Sequence, residues 1–402
     1  MNLSLSASSK IKEQFPLLVQ NPLIYLDSAA TTLKPEVVCN AEKEFYEQDY
    51  ATVNRSLYPR AQKSTADYHA ARMLLQKKIN AASTQGIIFT KGTTDSLNQV
   101  AQFLTQLLQP DDAILLSVLE HHANYLPYRA LEKKKQIQLR NLPILQDGLV
   151  DFEALKKMDL RGVKALAIAH VSNVTGVEQD LVLLGQFCRE RGIIFIVDAA
   201  QGIAHYDLDV IKSSIDFLAF SSHKMYGPTG LGVLYIADHL VDQLEPLVFG
   251  GDMILDIGED LIYQNAPLKF EAGTPPIAQV ISLKRALEWQ QTQAFTEAKE
   301  HMQALHDAYC YAFKEVGELR VLSSSNSKTI LTIASDHVHP MDIAVLLGQK
   351  GIEVRSGSLC ALPALNFFGV NAFLRFSFGV YNTTEEVDAV IHHFKSIYQK
   401  LR

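Results

Sequence analysis

The chain of 402 residues is long enough for two domains with an ample apolar core. Its 37 basic and 44 acidic residues give a net charge of −7, which provides no electrostatic argument for binding nucleic acid or an anionic membrane. No apolar run reaches the length of a membrane span, and the first ten residues lack the basic start and apolar core of a secretory signal. The four scattered cysteines form no Cys-x-x-Cys pair, so we expect a cytoplasmic protein without a disulfide scaffold or a structural zinc site.

The N-terminal half alternates between predicted helices and strands. Helices are expected at residues 11–19, 35–50 and 61–79, and strands at 23–27, 87–90, 113–117 and 163–170. The order strand, glycine turn, helix around Gly92 leaves free backbone N–H groups and the positive end of a helix dipole at the turn. A phosphate ester would be well placed there, with Thr93 and Thr94 as further donors. An ordinary N-capped helix explains the pattern equally well.

Two adjacent histidines, His121 and His122, follow the strand at 113–117. Such a pair suggests a metal site. Neighbouring residues on one chain rarely point the same way, however, and no third ligand stands nearby in the sequence. We therefore predict no metal here.

An aspartate, Asp198, stands at the end of the apolar run 193–197. The run predicts a fully buried, parallel strand, and open α/β sheets bind ligands at the carboxyl ends of such strands. A buried carboxylate is unfavourable unless it meets a cation, and the pyridinium nitrogen of a cofactor is such a cation. An aspartate that merely caps the following helix is about as common.

A lysine, Lys224, lies between two further predicted strands, at 215–220 and 231–236. Four nearby Gly and Pro residues, at 227, 228, 230 and 232, force the intervening backbone through tight turns. A lysine fixed in such a turn is a candidate Schiff-base amine, because partial desolvation lowers the pKa of an amine. A lone loop lysine is more often simply solvated.

These two motifs occur in the order Asp at a strand end, then Ser-x-His-Lys in a glycine-rich turn, which is the pattern of pyridoxal-phosphate (PLP) enzymes. With them, the chain resembles the class V aminotransferase-like family, and within it the cysteine desulfurases of the SufS/CsdA type. The resemblance implies an α/β chain of PLP-dependent transferase fold type I, with a mixed, mostly parallel seven-stranded sheet in a large domain and a smaller α+β C-terminal domain. It implies an N-terminal segment 1–22 that packs with the small domain, a large PLP-binding domain 23–290, and a small domain 291–402 that carries a catalytic cysteine loop.

The resemblance also assigns residues to the cofactor ring. Lys224 would carry PLP covalently and act as the base, and Asp198 would hold the ring nitrogen. Gln201 would donate to the phenolic oxygen. His121 would stack on the ring and shuttle protons, for which the near-neutral pKa of histidine is suited.

The cofactor phosphate is assigned to the glycine turn and to the lysine loop. In the family, Thr93 and Thr94 of the turn hold it, and Ser221 and His223 complete the cup. Thr274, in the Ala-Gly-Thr-Pro stretch, would reach the phosphate of the other subunit. The resemblance therefore implies a homodimer with shared sites.

The C-terminal part carries the discriminating residue, Cys360. For this part of the chain the sequence predicts helices at 277–290, 295–316, 341–349 and 384–401 and strands at 329–333, 352–355 and 374–378. Cys360 lies in an Arg-x-Gly-x-x-Cys-Ala-x-Pro stretch that matches the family, in a loop expected to be exposed and mobile. A single cysteine is more often a small buried hydrophobe, but the nearby Arg355 would favour a thiolate. By resemblance, Asn173, Arg355 and Arg375 bind the substrate. Asn173 and Arg375 would contact its α-carboxylate, a group that an arginine can bind through two donors.

The sequence departs from the family pattern in two stretches. Asn54 and Ser56 replace a usual His and Gly, and Ser358 and Leu359 occupy positions that are usually polar or His. The first change leaves no histidine at that position, and the second bears on how the thiol is activated.

The resemblance implies a cysteine desulfurase that converts L-cysteine into L-alanine and a Cys360 persulfide, and passes the sulfur to an acceptor protein for iron–sulfur cluster assembly. Other enzymes on the same scaffold remain alternatives: a selenocysteine lyase, an epimerase or an aminotransferase, the last of which would not need Cys360. A non-catalytic sulfur-relay module is a third possibility, which the presence of both Lys224 and Asp198 disfavours.

Overall fold

The computed structural model of the protein describes residues 11–323 and 326–402. The first ten residues of the predicted N-terminal segment 1–22 therefore lie outside the described residues. The strands are β1 (Ile24–Tyr25), β2 (Ile87–Thr90), β3 (Ala113–Leu116), β4 (Gln138–Asn141), β5 (Val163–Ala169), β6 (Ile194–Asp198), β7 (Phe217–Ser221), β8 (Gly232–Ile236), β9 (Ile254–Ile257), β10 (Leu261–Tyr263), β11 (Arg320–Val321), β12 (Ile330–Ala334), β13 (Ile352–Glu353), β14 (Arg355–Gly357) and β15 (Phe373–Ser377).

The α-helices surround the sheets. They are α1 (Pro16–Gln20), α2 (Glu36–Glu44), α3 (Pro59–Ile79), α4 (Thr93–Leu107), α5 (Leu126–Lys135), α6 (Phe152–Lys157), α7 (Leu181–Arg189), α8 (Asp238–Val241), α9 (Ile277–Trp289), α10 (Gln293–Lys314), α11 (Pro340–Gly348), α12 (Leu362–Phe368) and α13 (Glu385–Leu401). A π-helical turn, Phe45–Asp49, extends α2, and short 3-10 turns lie at His122–Asn124, Ser222–Lys224 and Leu268–Phe270. Among the described residues, no helix combines the length and the apolar character needed to cross a membrane.

The large sheet has seven strands in the order β2-β8-β7-β6-β5-β3-β4. All neighbouring pairs are parallel except the two that involve β8, so the predicted mixed, mostly parallel sheet is confirmed. The central strands β5 to β8 are almost entirely buried, as expected for strands that are covered on both faces. Their apolar runs made them predictable.

The register of the sheet brings the chemically important strand ends to one edge. Asp198, at the end of β6, pairs with Ala219 of β7, and Ser221, at the end of β7, pairs with Gly232 of β8. Gly232 also faces Thr90 at the end of β2. A Cβ on Gly232 would lie 2.4 Å from the Cα of Gly92, so only glycine allows the turn before α4 to approach this edge.

The C-terminal part forms a smaller antiparallel sheet in the order β11-β12-β15-β14. Helices α10 and α13 pack against it through Phe313, whose ring centroid lies 4.8 Å from Phe376 and 4.9 Å from Phe394. This α+β arrangement agrees with the predicted fold class. The domain boundaries at 22/23 and 290/291 stay predictions.

The region expected to be an exposed loop, 355–365, is structured. It contains β14 and the first turn of α12, and Leu359 and Ala361 between them are buried. Leu359, Ala361 and Ala364 pack inward, although the Gly, Ser and Pro residues of the stretch suggest an exposed loop. The β9–β10 hairpin and the edge strand β4 were likewise not predicted.

Candidate active site

A cavity of about 250 Å³ opens at the carboxyl edge of the large sheet. It is lined by every predicted site residue except one: Thr93, Thr94, His121, Asn173, Asp198, Gln201, Ser221, His223, Lys224, Arg355, Cys360 and Arg375. The exception is Thr274, which is exposed and does not line the cavity of its own chain. Its predicted role lies in a second subunit and stays a prediction.

Lys224 and Asp198 come from neighbouring strands of the sheet. Asp198 is 4% exposed, and its Oδ1 accepts a hydrogen bond from the backbone N–H of Ala200 at 2.9 Å. No ion pair neutralises this carboxylate within the described residues, and burial raises its pKa. Desolvation lowers the pKa of the Lys224 amine to about 8, while the charge of Asp198 opposes that shift. The cavity thus combines a buried acid that lacks a cation with an amine that is partly neutral near pH 8.

The N-terminus of α4 forms one end of the cavity. The backbone N–H of Thr93 donates to Ser221 Oγ at 2.7 Å, and the two hydroxyls are 2.6 Å apart. His223 Nδ1 lies 3.1 Å from the hydroxyl of Thr31. Thr94 lines the cavity beside them. The free N–H groups of the first helical turn and these hydroxyls form a donor set that suits a phosphate.

His121 is half-buried and lines the same cavity as Asp198 and Lys224. Its Nδ1 accepts a hydrogen bond from the backbone N–H of Ala123 at 3.1 Å, so a neutral ring carries its proton on Nε2. Burial, with a contribution from the charge of Lys224, lowers the pKa of His121 to about 4. The preceding residue, Glu120, is buried and accepts from Asn124 Nδ2 at 2.6 Å, and burial raises its pKa to about 8.

Two arginines converge on one aspartate that the sequence did not single out. Arg355 and Arg375 face each other across β14 and β15. Asp27 Oδ1 accepts a hydrogen bond from Arg375 Nη2 at 3.1 Å, and Asp27 Oδ2 lies 3.9 Å from Arg355 Nη1. Arg375 is 3% exposed and also donates to the carbonyl of Asn173 at 3.1 Å, while its Nε has no partner among the described residues. Since Arg375 lines the cavity, its Nε is a candidate donor to an anionic group bound there.

Cys360 lies half-buried in a tight turn at the edge of the cavity. Leu359 and Cys360 both have left-handed backbone angles, with φ of 52° and 54°. Leu359 is buried in an apolar cluster with Leu119 and Val174, which accounts for a leucine where the family pattern is polar or His. Asn173 Nδ2 donates to the carbonyl of Leu359 at 2.8 Å, so Asn173 contacts this turn, and its predicted contact with substrate stays a prediction.

Asn54, which departs from the family pattern in the other stretch, also has a local explanation. Its φ of 63° is left-handed, a conformation in which Asn is favoured over most residues. Its Oδ1 lies 3.0 Å from Nε2 of His69, an exposed histidine on α3. A histidine thus lies next to position 54 although none occupies it.

The sequence profile of the family described as Aminotransferase class-V matches residues 24–390. The chain belongs to this family. A probable cysteine desulfurase of Vibrio cholerae is 38% identical over 397 residues, which are 97% of this chain and 98% of the relative. The cysteine desulfurase CsdA of Escherichia coli is 39% identical over 96% of each chain.

Solved structures agree with the family assignment. A crystal structure of the Escherichia coli cysteine desulfurase CsdA, in an S-sulfonic acid form, has a TM-score of 0.91 at 38% identity and covers 98% of this chain and 99% of its own. The apo structure of a cysteine desulfurase from Thermococcus onnurineus has a TM-score of 0.92 at 33% identity, over 97% of this chain and 98% of its own. The predicted fold type I architecture is therefore confirmed, in a family of PLP-dependent enzymes.

The residues present fit a bound PLP molecule. The cavity offers an amine, Lys224, and a buried carboxylate, Asp198, that forms no ion pair within the described part of the chain. At its other end lies the donor set of Thr93 and Ser221. These three features complement the aldehyde, the ring nitrogen and the phosphate of that molecule.

Proposed function

We propose that this protein is a PLP-dependent cysteine desulfurase, which converts L-cysteine into L-alanine and leaves the sulfur as a persulfide on Cys360. The observation that carries the proposal is that a cysteine lines the same cavity as the lysine and the buried aspartate. An aminotransferase needs the amine and the acid but has no use for a thiol. The similarity to cysteine desulfurases over nearly the whole chain supports the same assignment.

The cofactor would be held at both ends by this chain. Lys224 would supply the amine for covalent attachment, and Asp198 would pair with the ring nitrogen. Gln201 would donate to the phenolic oxygen, and its Nε2 now donates to the carbonyl of Ala29 at 2.8 Å. Bound there, PLP acts as an electron sink for the substrate α-carbon.

The phosphate would lie at the start of α4, against Thr93, Thr94, Ser221 and His223. Its charge would meet the positive end of the helix dipole and the free N–H groups of the first turn. Together with Lys224, these contacts would hold the cofactor where its ring nitrogen could pair with Asp198.

The substrate carboxylate would bind between the two arginines. Arg375 would offer its unpartnered Nε, and Arg355 would add a second positive charge. Asp27 already holds the Nη2 of Arg375, so the guanidinium is fixed before substrate arrives. Lys224 would take the α-proton, and His121, with its proton on Nε2, would exchange protons with the substrate.

Sulfur transfer would be the task of Cys360. Its thiolate attacks the substrate sulfur, so that an S–S bond forms as the C–S bond breaks and the bonding electron pair stays with carbon. Protonation of that carbon gives L-alanine. The persulfide is left on a half-buried residue at the cavity edge, from which a sulfur-acceptor protein of iron–sulfur cluster assembly would take it.

A homodimer in the cytoplasm is part of the proposal. Thr274 would complete the phosphate site of the other subunit, and its exposure on its own chain is compatible with that role. Sedimentation of the purified protein should give twice the chain mass of 44.8 kDa. A monomer with full activity would contradict the shared site.

Product analysis tests the proposed reaction. With L-cysteine and a reductant, the wild-type protein should release alanine and sulfide in equal amounts. Cys360→Ser should lose this activity but retain the visible absorption of bound cofactor, because Cys360 is not among the residues proposed to hold the ring or the phosphate. Cys39→Ser is the matched control, since Cys39 is exposed and does not line the cavity, and it should behave as wild type. Alanine formation by Cys360→Ser at the wild-type rate would refute the proposal.

A further inference from the structure

The turn that carries Cys360 has an unusual backbone for its residues. Leu359 and Cys360 are consecutive, neither is glycine, and both adopt left-handed φ angles of 52° and 54°. Left-handed backbone is disfavoured for residues with a Cβ, so such a turn persists only where its surroundings hold it. We call residues 358–362 the cysteine turn.

Three groups hold the cysteine turn. Leu359 is buried in the apolar cluster, and its carbonyl accepts from the Asn173 side chain. The backbone N–H of His122 donates to the carbonyl of Cys360 at 2.7 Å. The backbone N–H of Leu362 donates a hydrogen bond to Nε2 of the His122 ring at 3.1 Å. His122 thus contacts the turn twice, at the carbonyl of Cys360 and at the backbone N–H of Leu362.

The two adjacent histidines have different partners. His121 accepts at Nδ1 and His122 accepts at Nε2, so in their neutral forms the two rings carry their protons on opposite nitrogens. His122 does not line the cavity, and its ring therefore acts on the thiol only through the turn. Burial lowers the pKa of His122, which favours the neutral ring that is able to accept a hydrogen bond.

We propose that His122 is a positioning residue whose Nε2 fixes the cysteine turn and so aims the Cys360 thiol into the cavity. The inference rests on the proposed function and names a residue that the cofactor and substrate contacts leave unused. A thiol must meet the substrate sulfur in line with the C–S bond, and misplacement by about 1 Å can reduce turnover on the order of 100-fold. Of the two contacts that His122 makes, substitution of its side chain removes the hydrogen bond from Leu362 and leaves the bond from its backbone N–H to Cys360 in place.

The test uses the PLP-loaded protein with the variants His122→Leu and His122→Gln. In His122→Leu the released turn should expose the thiol, so alkylation of Cys360 by iodoacetamide should become faster while turnover of L-cysteine falls. The KM for L-cysteine and the cofactor absorption should stay at wild-type values. In His122→Gln the side-chain oxygen can replace Nε2 as acceptor, so both rates should return toward wild type.

The opposite changes in alkylation and turnover distinguish positioning from loss of thiol reactivity, which would lower both rates. Alkylation of the exposed Cys39, measured in the same peptide digest, serves as the internal control. Wild-type alkylation and turnover in His122→Leu would overturn the inference, as would a His122→Gln variant as impaired as His122→Leu. Alkylation is measured without substrate, so failure of the wild type to produce alanine would count against the proposed function and not against the role of His122.

Discussion

Lys224 and His121 line the same cavity, and burial moves the pKa of both side chains downward, to about 8 and about 4. Both charged forms are cations, and loss of hydration disfavours each of them. The consequences differ because the starting values differ. His121 is neutral throughout the physiological range, whereas Lys224 changes charge close to it.

Attachment of PLP to the apoprotein should therefore depend on pH. Only the neutral amine can attack the aldehyde, and the neutral fraction of Lys224 grows as pH rises through about 8. The initial rate of attachment, followed by visible absorbance, should rise between about pH 6.5 and about pH 9.5 and then level off. A rate that falls with pH over this interval would contradict the prediction.

Asp198→Asn provides the control for this titration. The negative charge of Asp198 raises the pKa of Lys224, so its removal should move the midpoint of the pH profile to lower pH. The variant should also hold the cofactor less firmly, because the ring nitrogen loses its proposed counter-ion. A midpoint unchanged from wild type would show that the two side chains do not interact.

Single residues differ in how far the sequence reveals them. Asp198 and Lys224 were predicted because each follows or precedes a clear apolar run, a local signal. Asp27 was missed because its importance comes from the pairing of β14 with β15, which brings two arginines together. His122 resembles only a candidate metal ligand in the sequence, because its hydrogen-bond partner Leu362 lies 240 residues further along the chain.

At the scale of elements, buried strands and long helices were predictable, whereas partly exposed edge strands were not. The predicted strand at 87–90 and helix at 61–79 agree closely with β2 and α3. Strand β4, by contrast, lies at the sheet edge and is partly exposed, with the polar sequence Gln-Leu-Arg-Asn that gives no alternating pattern. Its position depends on pairing with β3, not on its own residues.

The buried ion pair between Arg72 and Glu271 connects three elements. Arg72 lies on α3 and donates to Glu271 through both terminal nitrogens at 2.8 Å, and the two side chains are 3% and 7% exposed. Glu271 also accepts from the backbone N–H of Phe89 in β2 at 2.7 Å. The start of the loop that bears Thr274 is thereby fixed to the large sheet.

Glu271→Gln should destabilise the protein markedly. The substitution leaves the guanidinium of Arg72 buried without its counter-ion, a change that lowers the free energy of unfolding by about 3–5 kcal/mol in comparable pairs. Denaturant unfolding monitored by circular dichroism measures the loss. Asp159→Asn is the matched control: it breaks the exposed pair with Arg161 and should leave the unfolding midpoint nearly unchanged. Equal midpoints for the two variants would contradict the argument.

At the scale of the whole molecule, residues 24–34 join the small sheet to the lysine loop. Strand β1 pairs with β13, and the carbonyl of Ser377 in β15 accepts from the backbone N–H of Ser28 at 3.2 Å. A few residues later, Thr32 N and Lys34 Nζ both donate to the carbonyl of His223, the residue before Lys224, at 3.0 and 2.7 Å. The arginines and Cys360 on one side and Lys224 on the other are thus held relative to each other by one segment, which the sequence alone could not indicate.

Phe15 adds an apolar contact between the segment that follows β15 of the small sheet and the lysine loop. It is fully buried, and its ring centroid lies 4.8 Å from Tyr381, 5.7 Å from Trp289 and 6.1 Å from Tyr226, two residues beyond Lys224. Phe15→Ala should lower the free energy of unfolding by about 3–5 kcal/mol, because it leaves a cavity among these rings. Leu17→Ala, two residues away and 45% exposed, should change it by only about 0.5 kcal/mol. Denaturant unfolding curves of the two variants, measured side by side, give both free energies of unfolding. A small and similar decrease in both variants would mean that the N-terminal segment does not hold the two parts of the molecule together.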